Sequence, residues 1–231
     1  MDMTPGGGAG STASPRFDLR GATLGAFATP VANLRLDEML AVNPQLEALI
    51  LAAAAAQPGV TKSNVGGWHS TLDFASRDQL PVRSLFSRIQ HVLRDLTQAV
   101  LRPGVRIEDV ELDIVAWANV LRFGEYNSLH SHPNAFWSGV YYVNGNEPVD
   151  AHPFSGRLEL IDPRPGASLT YAELTNLYGR FMINPQPAQI VIFPAWLQHQ
   201  VHPYFGRGTR ISVAFNATLR GLPGTPHESP R

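Results

Sequence analysis

The residues of this chain whose types and spacing could do chemistry are His130-Ser131-His132, a lone His199 far downstream, and Arg210-Ile211-Ser212 shortly after it. In a strand, residues i and i+2 point to the same side, so His130 and His132 can offer two imidazoles to one ion while Ser131 faces away. His199 supplies a third. Imidazole suits iron, copper, zinc or nickel, and three protein ligands leave coordination positions open for a small molecule. The spacing leaves two alternatives open. His202 is a rival to His199, but three residues apart on a strand they point to opposite faces. His132 could instead stand behind a two-histidine site that water completes.

Composition narrows the rest. With 231 residues, 44% hydrophobic and 16% charged, the chain can bury one sizeable core, and a β-rich chain of this length commonly forms one domain. The net charge is -1, and its cations, all arginine except Lys62, are scattered rather than gathered into a stripe. Neither a nucleic-acid partner nor a membrane is expected. There is no cysteine, which excludes disulfides, zinc knuckles and a thiol nucleophile and fits a cytoplasmic protein. The chemistry must rest on histidine, carboxylates and hydroxyls.

These residues need elements to position them. Residues 1–15 are mostly Gly, Ser, Thr and Pro without an apolar run, so a disordered N-terminus is expected, and residues 220–231 read as a flexible tail. Pro44 opens a core-packing helix through about Ala56, whose apolar run is far too short to cross a bilayer. Val82, Leu85, Phe86, Ile89, Val92, Leu93, Leu96 and Val100 recur at helical spacing and predict a second, amphipathic helix ended by Pro103-Gly104. From Val110 onward the pattern changes to short β-branched and aromatic runs separated by Gly, Pro and Asn. Eight strands are expected, over 111–123, 126–132, 136–143, 156–161, 180–184, 189–193, 198–202 and 209–218. Eight short strands with few helices between them predict an antiparallel sandwich or barrel, its two N-terminal helices covering one outer face. A further short helix is expected at 171–177.

Five pieces carry a family resemblance: Asn127-Ser128-Leu129-His130-Ser131-His132-Pro133-Asn134, Ser138-Gly139-Val140-Tyr141-Tyr142, the run from Gly156 to Pro163, the run from Phe193 to Pro203 with His199 inside it, and Arg210-Ile211-Ser212. Over about residues 111–219 the chain resembles the 2-oxoglutarate and Fe(II) dependent oxygenases, and within them a bacterial and phage branch with a His-x-His-Pro segment. The resemblance implies a double-stranded β-helix, a jelly-roll of the cupin-like kind, within one oxygenase domain spanning 16–219. It implies Fe(II) held by His130, His132 and His199, with 2-oxoglutarate as cosubstrate and O2 as oxidant. The far carboxylate of 2-oxoglutarate would meet Arg210, Ser212 would add a hydroxyl from the same strand face, and Tyr142 would be a further cosubstrate contact. Arginine suits that task because its planar guanidinium grips a carboxylate with two hydrogen bonds and keeps its charge.

One departure from the family pattern affects function. The family at large has His-x-Asp or His-x-Glu where this chain has His130 and His132, and a neutral imidazole leaves the ion its full charge. The expected function is a dioxygenase that hydroxylates a small-molecule or peptide substrate that the sequence does not identify. A three-histidine cupin-like dioxygenase independent of 2-oxoglutarate, and a non-catalytic metal or small-anion binding protein, are the alternatives. His69 reads as a surface-loop histidine or as a substrate contact over the mouth. Glu159 and Asp162 read as solvated sheet residues, His91, His152 and His227 carry no role, and Trp68, Trp117, Trp137 and Trp196 read as core, with Trp196 a candidate wall of the site.

Overall fold

The computed structural model describes residues 27–167 and 179–221. The expectations for residues 1–15, for a helix at 171–177, for the tail beyond 221 and for His227 lie outside the described residues.

Both predicted helices form. Helix α1 is Asn43–Ala56, and Pro44 sits in its first turn, where the missing N–H would have had no partner in any case. Gln57 ends it in an extended conformation, as the residue before Pro58 must. Helix α2 is Leu80–Val100, and its Val82, Leu85, Phe86, Ile89 and Leu93 are fully or nearly fully buried along one face.

Eleven strands are described. They are β1 (Ala32–Arg35), β2 (Asn64–Val65), β3 (Trp68–His69), β4 (Glu111–Leu121), β5 (Tyr126–His130), β6 (Trp137–Tyr142), β7 (Leu158–Ile161), β8 (Arg180–Ile183), β9 (Gln189–Pro194), β10 (His199–Val201) and β11 (Arg210–Arg220). They make two sheets, ordered β1-β9-β6-β11-β4-β3 and β2-β5-β10-β7-β8, in which every pairing is antiparallel. All eight predicted strands are present, with ends shifted by a few residues, and three short ones are added.

Alternation along the strands sorts the core into two clusters. Ala116, Ala118 and Val120 of β4, Ile211, Val213 and Phe215 of β11, and Ile190 and Ile192 of β9 face the helices and pack with Leu46, Ile50, Leu85 and Ile89. Each large side chain buried this completely contributes about 1.5–3 kcal/mol, so this layer is the main stabilising one. The second cluster, Tyr142, Leu158, Leu160, Ile183, Val191, Phe193 and Leu197, is smaller. Trp117, Asn119, Arg210 and Ser212 alternate with the helix-facing residues of β4 and β11, so they face away from the helices, and they line a cavity with Leu158, His199 and Val201 of the second sheet.

The short strands β2 and β3 join the two sheets at one end. β2 pairs with β5 and β3 with β4, and the turn between them is Gly66-Gly67, with φ of +73° and +37°. A Cβ at Gly67 would lie 2.6 Å from Leu121 Cδ2, so both the backbone angle and the close approach require glycine.

Candidate metal centre

His130 ends β5 and His199 begins β10, and the two are register partners on adjacent strands, so their side chains rise from the same face. The chain turns after His130, and the His132 backbone N–H donates to Ala195 O at 2.9 Å, which brings the third ring back to the other two. The ring centroids are 4.3 Å apart for His130 and His199, 4.9 Å for His130 and His132, and 5.2 Å for His132 and His199. One nitrogen from each ring lies within 4.8 Å of the others, a spacing that could hold a metal ion.

The backbone fixes two of the rings. His130 Nδ1 lies 2.7 Å from Ser128 O and His199 Nδ1 lies 2.9 Å from Leu197 O. A carbonyl only accepts, so each Nδ1 carries the proton and each Nε2 keeps its lone pair; that of His199 is free for an ion, and that of His130 meets only the Ser63 hydroxyl, at 3.4 Å, which an ion would displace. Burial, followed by the neighbouring His130, lowers the pKa of His132 to about 4 and that of His199 to about 3; burial also lowers that of His130. At neutral pH all three imidazoles are therefore neutral, the form that can bind a metal ion.

This has a consequence for the metal-free protein. An unfolded chain takes up protons on its histidines near pH 6.5, whereas the folded chain refuses them on His132 and His199 until about pH 4 and about pH 3, so stability falls as pH falls through that interval. The slope is at most about 1.4 kcal/mol per pH unit for each excluded proton. Urea unfolding between pH 7.5 and 5 should show this decline in the wild type and a shallower one in His132→Gln/His199→Gln. An equal slope in both would show that these rings are not the source.

Beside the cluster, a narrow inner cavity ends at Arg210. Arg210 is only 1% exposed; its Nε donates to Gly156 O at 2.9 Å, its Nη1 approaches Ser212 Oγ at 3.5 Å, and its guanidinium lies 5.1 Å from the Tyr142 ring centre. Its Nη2 has no partner, and neither does the hydroxyl of the wholly buried Tyr142 nor Asn119 Oδ1. Burial pushes the Tyr142 phenol up to about 12, so it stays protonated and able to donate. Leaving such groups unpaired costs about 1–3 kcal/mol each. A wider outer cavity, about 520 Å³, opens on the other side of His130 and His132.

His202 lies on the opposite sheet face from His199, as alternation predicts, its Nε2 2.9 Å from Glu159 Oε2. Three expectations need correction. Glu159 is not solvated: it is 1% exposed, accepts from Gln200 Nε2 at 2.6 Å, and pairs with Arg180 at 3.2 Å. Alternation predicts its direction correctly, but partners distant in sequence cover that face. His69 is not a surface-loop residue; β3 pairs with β4, which buries it and stacks it on Trp117 at 5.4 Å. Trp196 is 54% exposed, because the turn after β9 directs Leu197 and His199 inward and Trp196 out; the aromatic wall is Trp117, whose ring lies 5.6 Å from His132. Trp68 and Trp137 are core, as expected.

Among the described residues no helix is long and apolar enough to cross a membrane. No curated protein matches the chain in sequence. Among solved structures it is similar to a prolyl-4-hydroxylase from Pseudomonas putida, at 16% identity and a TM-score of 0.59, over 84% of this chain and 95% of that one. It is also similar to a prolyl hydroxylase from Trichoplax adhaerens, at 12% identity and a TM-score of 0.54, over 81% and 83% of the two chains. A third is HygX from Streptomyces hygroscopicus with nickel and 2-oxoglutarate bound, at 10% identity and a TM-score of 0.53, over 82% and 83%. Identities this low speak for the fold, which is the double-stranded β-helix. The three-histidine cluster stands where the family at large carries His-x-Asp or His-x-Glu with a distant histidine. Residues 115–216, which hold all three histidines with Tyr142, Arg210 and Ser212, match the family described as putative 2OG-Fe(II) oxygenase.

Proposed function

We propose that the protein is a non-haem Fe(II) and 2-oxoglutarate dependent dioxygenase that hydroxylates its substrate. The observation that carries this reading is the buried Arg210 with its free Nη2, set at the end of a cavity that also reaches three neutral, converging imidazoles. The residues present fit both groups. Three imidazoles suit Fe(II) and leave positions open, and without a carboxylate among them the ion keeps its full charge, which favours a dianionic chelator. The unpaired Arg210 Nη2 and Tyr142 hydroxyl are donors in search of an acceptor, and a carboxylate satisfies both.

In this reading His130, His132 and His199 hold the ion. Arg210, Ser212 and Tyr142 receive the far carboxylate of 2-oxoglutarate. When bound, the ion and cosubstrate supply the oxidising power that inserts oxygen from O2 into a C–H bond while 2-oxoglutarate becomes succinate and CO2. The chain supplies position and dryness: Leu158, Phe193 and Val201 wall the inner cavity with apolar surface, which strengthens the Arg210 interaction. Neither cavity is lined by a carboxylate among the described residues, in keeping with a reaction that asks for no separate acid or base.

A three-histidine dioxygenase independent of 2-oxoglutarate would have no use for a buried guanidinium. The test is an oxygen-free titration of the Fe(II)-loaded protein with 2-oxoglutarate, followed by its metal-to-ligand charge-transfer absorption and by calorimetry. Saturable absorption at one equivalent is expected, with succinate formed once O2 is admitted. Absence of both binding signals would overturn the reading.

A further inference from the structure

The outer cavity has features that the metal centre and the inner cavity do not use. Its lining contains one charged side chain, Lys62, which is also the only lysine in the chain, and no carboxylate among the described residues. The buried His69 beside it is held neutral, first by burial and then by the charge of Lys62 working against a hydrogen bond to the Ser70 backbone. One side of the cavity is the Trp117 ring, and Leu72 and Val115, 48% and 38% exposed, add apolar surface. Asn216 also faces it, and its Oδ1 has no partner in the fold. The cavity thus offers one cation with no carboxylate partner among the described residues, a flat wall, apolar sides and one unpaired amide oxygen.

The third histidine adds to the same bias. In the dioxygenase reading, the charges of the ion and of a dianionic cosubstrate cancel, and Arg210 leaves the centre with a positive charge that a carboxylate in place of His132 would have removed. A positive centre with a cation at its mouth concentrates anions and rejects cations.

We infer that the outer cavity is the substrate site and takes a small anionic molecule with a flat apolar body, its anion held by Lys62 and its body laid against Trp117. This rests on the dioxygenase reading for the charge of the centre and for what happens to the molecule, but not for the contacts with Lys62 and Trp117. Carboxylate and phosphate would satisfy Lys62 equally, so both belong in the test.

The probes are phenylacetate, indole-3-acetate and phenyl phosphate, with phenylacetamide and indole-3-acetamide as neutral counterparts of the two carboxylates. Binding to the Zn(II)-loaded, 2-oxoglutarate-saturated protein is read by ligand-observed NMR. At least one anion should bind, and each carboxylate that binds should do so about fivefold or more tighter than its amide. Lys62→Ala should weaken the anions about three- to fivefold and leave the amides alone, as expected for a solvent-exposed ion pair, and Lys62→Glu should favour the amides. The tighter of phenylacetate and phenyl phosphate identifies the preferred anion. Lys62 is exposed, so neither variant disturbs the core. Failure of every anion to bind, equal affinity for acid and amide, or anion binding unchanged in Lys62→Ala would overturn the inference. The affinity for 2-oxoglutarate should not change in Lys62→Ala; if it falls there and not in Arg210 variants, the dioxygenase reading itself has misplaced the cosubstrate.

Discussion

His199→Ala should abolish stoichiometric metal binding, while His202→Ala should leave it intact. His199 lies on β10 between β5 and β7, is 6% exposed, and has its Nδ1 held by Leu197 O, so its Nε2 is aimed and dry. Removing it leaves two of three ligands, a larger loss than the roughly 10–100-fold that follows removal of a group merely supporting a ligand. His202 sits three residues on, against Glu159 on the other face. Its removal leaves Glu159 with Gln200 and Arg180, and should cost about 1–3 kcal/mol of folding stability without touching the ion. Metal content after loading and desalting, beside circular dichroism and urea unfolding, separates the two outcomes. Equal metal loss in both variants would mean that the ligand has been misidentified.

That contrast also shows where sequence reasoning reaches its limit. His130 and His199 were legible because the order of the motifs is a local signal, and the helices because Pro44 and the 3.6-residue spacing from Val82 onward are; His132 joins them by another route than the expected strand alternation, since β5 ends at His130 and a turn held by Ala195 O returns its ring. Glu159 was not legible as a buried charge. Its direction follows from alternation, but its burial depends on His202, Gln200 and Arg180, which only the pairing of β7 with β10 and β8 brings to it. His69 fails for a related reason: β3 is two residues long, too short to show a period, and its depth comes from pairing with β4. Trp196 fails the other way, since a large aromatic residue near the site looks like a wall until the turn at Pro194 and Ala195 sends it to solvent. What sequence could not supply was the partner of each side chain. The same holds for Arg210, whose importance rests on an Nη2 that nothing in the fold satisfies.

Arg210→Met should weaken 2-oxoglutarate binding by roughly a hundredfold or more, with metal affinity nearly unchanged and the ligand-free protein at least as stable as wild type. The first part follows because breaking a buried, charge-assisted pair by removing one partner costs about 3–5 kcal/mol. The second follows because the guanidinium contacts Gly156 O, Ser212 and the Tyr142 ring, and none of the three histidines. The third is a question of sign. Without a ligand, the protein carries a fully buried charge with both N–H groups of Nη2 unpaired, so an unbranched apolar side chain of similar length relieves a cost instead of creating one. Arg210→Lys should recover part of the affinity, since it keeps the charge but loses the two-pronged grip. Oxygen-free calorimetry of 2-oxoglutarate into the metal-loaded variants, with urea unfolding of the metal-free proteins, reads all three parts. If affinity were unchanged in Arg210→Met, the cosubstrate would lie elsewhere and the main support for a 2-oxoglutarate enzyme would be gone. If instead the variant unfolded more readily, Arg210 would be a structural arginine already satisfied by Gly156, and its unpaired Nη2 would no longer point to a missing carboxylate.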